Sequence, residues 1–354
     1  MLKQSFKDWL TDRLGLDSIF VFLRKKEVPR HKHTLWYYTG SAILIFLIIQ
    51  IVTGFMLLLY YKPTLEEAYQ SVQQIMTEVS FGWVIRSIHH WSATLMIAFV
   101  FIHLLSLWLL KAYRPPRELT WMSGVVLLFI TLAFGFTGYL LPWDELSLAA
   151  TKVGTEIPST IPVIGQWITQ LLRGGADVTG DTLTRFFGLH VSILPLLIIL
   201  FLGFHLYLVQ RHGMSVPLAE EEKQVQLPSY PFWPNFVLRE SVFWLILFGG
   251  LITLSIFLPR GLGQPADLMA PAPAGVRPEW YFLFLFQTLK LFPATILGVP
   301  GDTVAMLLIL AGVCLFFFLP LIDTDPAGRR GKVITWAAIA FVVYAVVMSI
   351  WSLL

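Results

Sequence analysis

The sequence predicts an all-α, polytopic integral membrane protein that crosses the bilayer about seven times. Three observations predict it. The 354 residues are 56% hydrophobic and 13% charged, with a mean hydropathy of +0.71, which is more apolar surface than a soluble chain of this length can bury. Seven apolar runs are long enough to cross a hydrocarbon layer. Four histidines, His89, His103, His190 and His205, lie inside two of those runs, where an ionisable side chain is costly and rarely without a task.

Residues 1–33 mix Lys, Arg and Asp with Trp9, Leu10, Leu14, Phe20 and Phe22. This suits an amphipathic helix on the membrane surface, or equally a basic tail, and there is no continuous apolar core of the signal-peptide kind. Spans are expected at about 34–60, 83–110, 119–141 and 186–209, then at 238–258, 302–322 and 333–353. The stretch from Trp280 to Phe292 is short and interrupted by Gln287 and Lys290, so it is expected to lie in the interface. A linker at 212–237, rich in proline and carrying Glu220, Glu221 and Glu222, divides a four-span part, 34–220, from a three-span part, 221–354.

Most of the 25 Lys and Arg residues fall in the N-terminal segment and the second, fourth and sixth loops. The N-terminus is therefore expected on the cytoplasmic side of a bacterial inner membrane. Two segments expected outside are unusually elaborate. Residues 142–185 begin with Pro142-Trp143-Asp144, and residues 259–301 include Pro278-Glu279-Trp280-Tyr281. Long ordered loops on one face usually build a site. The single cysteine, Cys314, excludes an internal disulfide and a cysteine-ligated iron–sulfur or zinc centre. A net charge of +3 gives no reason to expect a nucleic-acid partner.

The histidine spacing carries the chemistry. His89 and His103 are 14 residues apart, and His190 and His205 are 15 apart. On a regular helix a 14-residue step returns to within about 40° of its start, and a 15-residue step overshoots by about 60°. Each helix thus turns both of its histidines to broadly the same side, roughly 21–22 Å apart along the axis. If the two helices face each other, two His–His pairs form, one near each membrane surface. Imidazole suits iron, and no carboxylate or thiolate accompanies these residues, so a haem in each pair is the favoured centre; helix–helix hydrogen bonding is the alternative for any one of them. His90, pointing about 100° away from His89, reads as a neighbour rather than a ligand.

Gly40 and Gly54, and again Gly124 and Gly138, repeat the 14-residue interval. Missing side chains at those heights would let a flat macrocycle approach the backbone, although close helix packing also uses glycine. Arg86 is placed to meet haem propionates on the outer side, and Lys111, Arg114, Arg117 and Arg211 on the cytoplasmic side; positive-inside anchoring accounts for the latter four equally well.

With these features, His89-His90-Trp91-Ser92-Ala93, Pro116-Arg117-Glu118-Leu119-Thr120-Trp121, Gly138-Tyr139-Leu140-Leu141-Pro142-Trp143-Asp144, Leu183-Thr184-Arg185-Phe186 and Pro278-Glu279-Trp280-Tyr281 resemble cytochrome b of the quinol–cytochrome c oxidoreductase complexes. The resemblance covers nearly all the chain from about residue 20. The 15-residue step, the Pro-Trp-Asp after the third span and the span count resemble the branch of oxygenic photosynthesis, in which the protein is split in two; residues 1–220 and 221–354 look like a fusion of those parts.

The resemblance implies a di-haem bundle in the first four spans. His89 and His190 would hold a lower-potential haem b near the outer face, and His103 and His205 a higher-potential one near the cytoplasmic face. It also implies that Glu279 accepts a proton from quinol, in a site walled by Tyr139, Tyr281 and the 142–160 segment. Read by itself, Pro278-Glu279 is equally a helix start, while a carboxylate at an apolar interface is suited to accept a proton. The implied enzyme is a quinol–cytochrome c (or plastocyanin-like acceptor) reductase, respiratory or photosynthetic, that contributes to the proton gradient. It would work with a Rieske-type iron–sulfur protein and a c-type cytochrome, in a homodimeric complex. Two positions depart from the photosynthetic branch. Tyr38 stands where that branch carries a cysteine linked to a third haem, so no covalent third haem is expected, and Gln210 replaces a basic residue near the cytoplasmic quinone site. A haem-bearing anchor for a dehydrogenase or hydrogenase is a rival, but it has no need of a loop like 259–301; a non-redox transporter is a more distant one.

Overall fold

The computed structural model describes residues 6–221, 227–271, 273 and 275–354. Two short helices open the chain, α1 (Phe6–Leu14) and α2 (Leu16–Lys25). They are followed by a strand, β1 (Glu27–Pro29), which pairs antiparallel with β2 (Ser229–Pro231). This ribbon ties the N-terminal segment to the entry of the later spans. Of the expected linker, residues 222–226 lie outside the described residues.

Among the described residues six helices are long and apolar enough to cross a membrane: Thr34–Leu58, Gly82–Leu109, Glu118–Leu140, Gly180–His212, Phe232–Phe257 and Arg329–Leu353. Within them lie α3 (Tyr38–Leu58), α4 (Ala68–Thr77) being a short surface helix that follows, then α5 (Gly82–Leu109) and α6 (Glu118–Leu140). The sixth expected span, 302–322, departs from the sequence reading. It is α14 (Gly301–Phe317), a 17-residue helix that stops before a separate turn, α15 (Leu319–Ile322). Pro320 has no N–H for a continuing ladder and clashes with the preceding turn, which accounts for the break.

Between α6 and the fourth span run α7 (Glu145–Glu156) and α8 (Gly165–Arg173), and α9 (Gly180–Gly188) opens the span itself. The fourth span continues through a π turn, Leu189–Ile193, into α10 (Leu194–His212). Pro195 lacks the N–H that the Val191 carbonyl would otherwise accept, and the wider turn absorbs that loss. It also absorbs one residue. The 15-residue step from His190 to His205 therefore turns like a 14-residue step on a regular helix, in phase with His89 and His103. The 60° overshoot expected for a regular helix does not arise.

After α11 (Leu218–Glu221) come α12 (Val237–Phe257), the short α13 (Leu283–Lys290) at the expected interfacial stretch, and finally α16 (Arg329–Leu353). A two-residue hairpin, β3 (Thr295–Ile296) with β4 (Val299–Pro300), leads into α14.

The bundle is built by α3 on α5 and α10 on α6, with α12 against α5 and α3. Phe46, Leu47, Met96, Ile130, Leu194, Ile198 and Leu251 form its centre, drawn from all five of these helices. Outward faces keep large apolar side chains exposed, such as Leu196, Leu200, Leu245, Ile246, Val333 and Trp336, as a lipid-facing belt requires. A buried polar cluster joins the end of α5 to the last helix. Lys111 Nζ donates to the Gly331 carbonyl at 2.6 Å, Tyr113 Oη donates to Asp323 Oδ2 at 2.5 Å, and Lys111 lies 3.6 Å from the same oxygen. Burial holds the Lys111 ammonium below its usual range, opposed by Asp323, and pushes the Tyr113 hydroxyl up.

Candidate functional site

Each of the four histidines is held in the same way. Nδ1 of His89, His103, His190 and His205 meets the hydroxyl of Thr53 (2.9 Å), Thr39 (2.8 Å), Thr137 (3.1 Å) and Ser123 (2.9 Å). Every one of these hydroxyls already donates its single proton to a carbonyl of its own helix, those of Ile49, Trp36, Ala133 and Thr120. A hydroxyl has one donor and two acceptor positions, so the ring nitrogen must supply the proton. All four imidazoles are therefore protonated at Nδ1 and present the Nε2 lone pair, the state a metal ligand needs.

A glycine directly follows each hydroxyl: Gly54, Gly40, Gly138 and Gly124. A Cβ at these positions would lie 3.4 Å from His89 Cε1, 3.3 Å from His103 Cε1, 2.7 Å from His190 Cε1 and 3.4 Å from His205 Cε1. Each glycine leaves room for the edge of the histidine ring, turned so that the adjacent hydroxyl can reach Nδ1, and Gly54 and Gly138 also line the cavity beside His89 and His190. The hydroxyl partners were missed in the sequence, although a Thr or Ser before each 14-spaced glycine was a visible signal.

The rings of His89 and His190 face each other with centroids 6.5 Å apart and planes at 68°. Two imidazoles each about 2 Å from a shared metal bring their centroids to roughly 6 Å, so this pair fits a haem iron between them. His103 and His205, locked by Thr39 and Ser123 in the same way, are the second expected pair. Among the described residues no group of three or more His, Cys, Asp or Glu is placed to chelate a bare ion; a bis-imidazole set is complete only when a macrocycle supplies the remaining positions.

Buried polar atoms without partners mark one end of the second pair. Arg117 Nε, Thr120 Oγ1 and His212 Nδ1 are all unsatisfied, and Arg117 Nη2 donates to the His212 carbonyl at 3.2 Å. Arg117 and Thr120 precede Gly124 by seven and four residues, and His212 follows His205 by seven, so they continue the same helix faces. A guanidinium N–H, a hydroxyl and an imidazole nitrogen there fit the acidic edge of a haem. The other expected propionate partners are engaged elsewhere or apart. Arg86 Nη1 donates to the carbonyls of Arg260 (2.7 Å) and Gly261 (3.3 Å), Lys111 belongs to the Asp323 cluster, Arg114 pairs with Glu221, and Arg211 is exposed.

At the His89 end a cavity of about 430 Å³ opens beside the ring pair and reaches Tyr139, Glu279 and Tyr281. The Trp143–Asp144 turn builds its wall. Asp144 caps α7 in a reciprocal pair with Ser147, accepts from the Gly263 N–H, and bridges Pro265, while the Ala266 N–H donates to the Trp143 carbonyl. The 142–185 and 259–301 segments are thus stitched together.

Glu279 stands at the N-terminus of a 3₁₀ turn, Trp280–Phe282, yet its side chain makes no capping hydrogen bond. The carboxylate instead lies 3.8 Å from the Arg260 guanidinium and lines the cavity. Burial raises its pKa above the ordinary carboxylate range, with Arg260 opposing. Tyr281, buried, packs its hydroxyl against Gly135, where a Cβ would come within 2.5 Å; burial, with the nearby Glu279 carboxylate second, pushes its phenol up. At the other end of the bundle, Tyr38 stacks on Phe236 at 5.1 Å, and Gln210 accepts from Lys26 at 2.6 Å.

The chain is similar to known proteins over nearly its whole length. The family described as cytochrome b/b6/petB matches residues 24–213, and that described as cytochrome b(C-terminal)/b6/petD matches residues 265–353. A cytochrome bc complex cytochrome b subunit of Chlorobaculum thiosulfatiphilum is 45% identical over 91% of this chain and 74% of its own length. Cytochrome b6 of Acaryochloris marina is 46% identical over 60% of this chain and 98% of its own. A chain of a solved hyperthermophilic respiratory Complex III superposes with a TM-score of 0.87 at 30% identity, covering 98% of this chain and 91% of that one. The family match over residues 24–213 and the 45% identity to a relative over 91% of this chain show that this chain belongs to the cytochrome b/b6 family.

Proposed function

We propose that this chain is the di-haem subunit of a quinol–cytochrome c or quinol–plastocyanin-type oxidoreductase. It oxidises quinol at the outer face, carries electrons across the membrane and reduces quinone at the inner face, so contributing to a proton gradient. The observation that carries the reading is the fourfold lock of hydroxyl, glycine and histidine, one pair of which opens onto the cavity of Glu279.

In this reading His89 with His190, and His103 with His205, bind two haems b, which supply one-electron redox chemistry when bound. Thr53, Thr39, Thr137 and Ser123 keep each ligand in the tautomer that binds metal, and Arg117, Thr120 and His212 receive the acidic edge of the second haem. Oxidation of one quinol releases two electrons and two protons. Glu279 takes one proton on its carboxylate, and Tyr139 and Tyr281 wall the quinol from water. With a single cysteine, the chain cannot hold an iron–sulfur cluster, so a Rieske-type protein and a c-type cytochrome take the outgoing electron in a homodimeric assembly. Residues 34–220 are the haem-bearing part and 221–354 the part that brings Glu279. The N-terminus is cytoplasmic, as the distribution of Lys and Arg supports, which puts the His89 end outside in a bacterial inner or photosynthetic membrane. Tyr38, stacked on Phe236, cannot form a thioether, so no haem is covalently attached.

The test is a haem count and a turnover measurement on the purified complex. The expected result is two extractable b-type haems per chain, no haem stain at 40.2 kDa on a denaturing gel, and reduction of cytochrome c by a short-chain quinol. One haem per chain, a stained band, or no quinol-dependent reduction would overturn the corresponding part.

A further inference from the structure

Arg260 lies in the 259–301 segment but is not among the site residues read from the sequence, yet its position is closely controlled. It follows the end of α12, and three side chains of α5 hold the backbone there. Ser87 Oγ donates to the Ser255 carbonyl at 2.9 Å, Trp91 Nε1 to that of Leu258 at 2.8 Å, and Arg86 Nη1 to that of Arg260 itself at 2.7 Å. Residues 86, 87 and 91 flank His89, so the backbone that launches the Arg260 side chain is fixed to the helix that carries the ligand. From there the guanidinium reaches 3.8 Å from Glu279, with the arginine side chain 46% and the glutamate 21% exposed. It is thus half in solvent and half against the cavity.

We propose that Arg260 is a positioning residue for Glu279: it holds the carboxylate ionised and turned toward the solvent side of the cavity, so that the group is ready to accept from quinol and to release outward. This rests on the reading of Glu279 as proton acceptor. The other charged or titratable groups lining the same cavity are Tyr139 from α6, Tyr281 beside the carboxylate, Arg86, His89 and His90 from α5, Asp144 from the α7 turn, His190 from the π turn, and Tyr61. Arg86 is engaged with backbone carbonyls and Asp144 with its cap, and Arg260 is the basic side chain paired with Glu279. An opposite charge within this distance favours the ionised carboxylate against the effect of burial, and partial exposure keeps the pair breakable when the proton arrives.

The experiment measures quinol–cytochrome c reductase rate against pH for wild type, Arg260→Gln, Arg260→Lys and the Glu279→Gln, Arg260→Gln double variant. It also follows the infrared band of the protonated Glu279 carboxyl, assigned by subtraction of Glu279→Gln. Arg260→Gln should shift the acid limb and the infrared titration to higher pH, with a several-fold loss of rate below the limb and recovery above it. Arg260→Lys should restore the wild-type limb, and the double variant should add no pH shift to Glu279→Gln. A uniform loss at every pH, or an infrared titration unchanged in Arg260→Gln, would overturn the proposal. Failure of the wild-type complex to oxidise quinol would instead overturn the reading beneath it, and the infrared titration would still decide whether Arg260 controls the carboxyl.

Discussion

Thr53 Oγ1 lies 2.9 Å from His89 Nδ1 while donating its own proton 2.6 Å to the Ile49 carbonyl. That double engagement leaves the hydroxyl only an acceptor role toward the ring, and it sets which imidazole nitrogen is free. Thr53→Val removes the acceptor and keeps the shape. A buried donor left unpaired costs about 1–3 kcal/mol, and loss of such a partner commonly costs about 10–100-fold in metal affinity. Reduced-minus-oxidised spectra should show weakened occupancy of the His89/His190 haem alone, with Thr53→Ser near wild type. Full occupancy in Thr53→Val would remove the lock from the argument.

The four glycines should not be equally sensitive. A Cβ at residue 138 would stand 2.7 Å from the His190 ring, while one at residue 54 would stand 3.4 Å from that of His89. Gly138→Ala must displace His190 and should cost most of the signal of that haem; Gly54→Ala meets ordinary contact and should retain it. Equal behaviour of the two variants in a haem titration would contradict the geometry.

Glu279→Gln should slow quinol oxidation by about 10²–10⁴-fold, the usual cost of losing a general base, with both haems retained. The sign of the pH effect follows from burial. The folded carboxyl has a raised pKa, so the wild-type rate should climb with pH through a limb above the ordinary carboxylate range as the acceptor form appears. By the same linkage, the stability this group contributes is present at low pH and is lost as pH rises through that limb. The glutamine variant should lack the limb. Wild-type turnover with an unaltered profile would exclude Glu279 from the mechanism.

The Lys111–Tyr113–Asp323 cluster gives a stability prediction away from the redox site. Asp323 and Lys111 are 2% and 6% exposed, and removing one partner of a buried pair strands the other at a cost of about 3–5 kcal/mol. Asp323→Asn should lower the thermal midpoint of the detergent-solubilised complex markedly, and Tyr113→Phe should lower it less, since one hydrogen bond to a charged group contributes about 1.5–3 kcal/mol of stability. A midpoint unchanged in Asp323→Asn would show that the cluster is not holding α16 to α5.

Much of this molecule was legible in its sequence because a bilayer leaves few choices. Spans are set by apolar length, and four of the seven expected runs match their helices to within about four residues at each end. The histidines stood out because their surroundings are so apolar. The break at Pro320 and the π turn at His190 were not foreseen, since apolarity does not register how a backbone ladder is repaired around proline. Thr39, Thr53, Ser123 and Thr137 were passed over because a hydroxyl bonded to its own helix is common in apolar spans, and only their contact with a ring distinguishes them. Arg260 was equally hidden, 19 residues from Glu279 in the chain and brought beside it by α5.

The π turn at His190 separates counting along the chain from measuring through space. Two ligands can be 14 or 15 residues apart and stand at the same pair of heights, provided the longer segment carries one wide turn. A lineage could therefore gain or lose a residue between Leu189 and Pro195 without moving either iron site, trading a π turn for a regular one. Spacing between ligands would then be a record of ancestry, free to drift, while the interval across the membrane stays where electron transfer needs it.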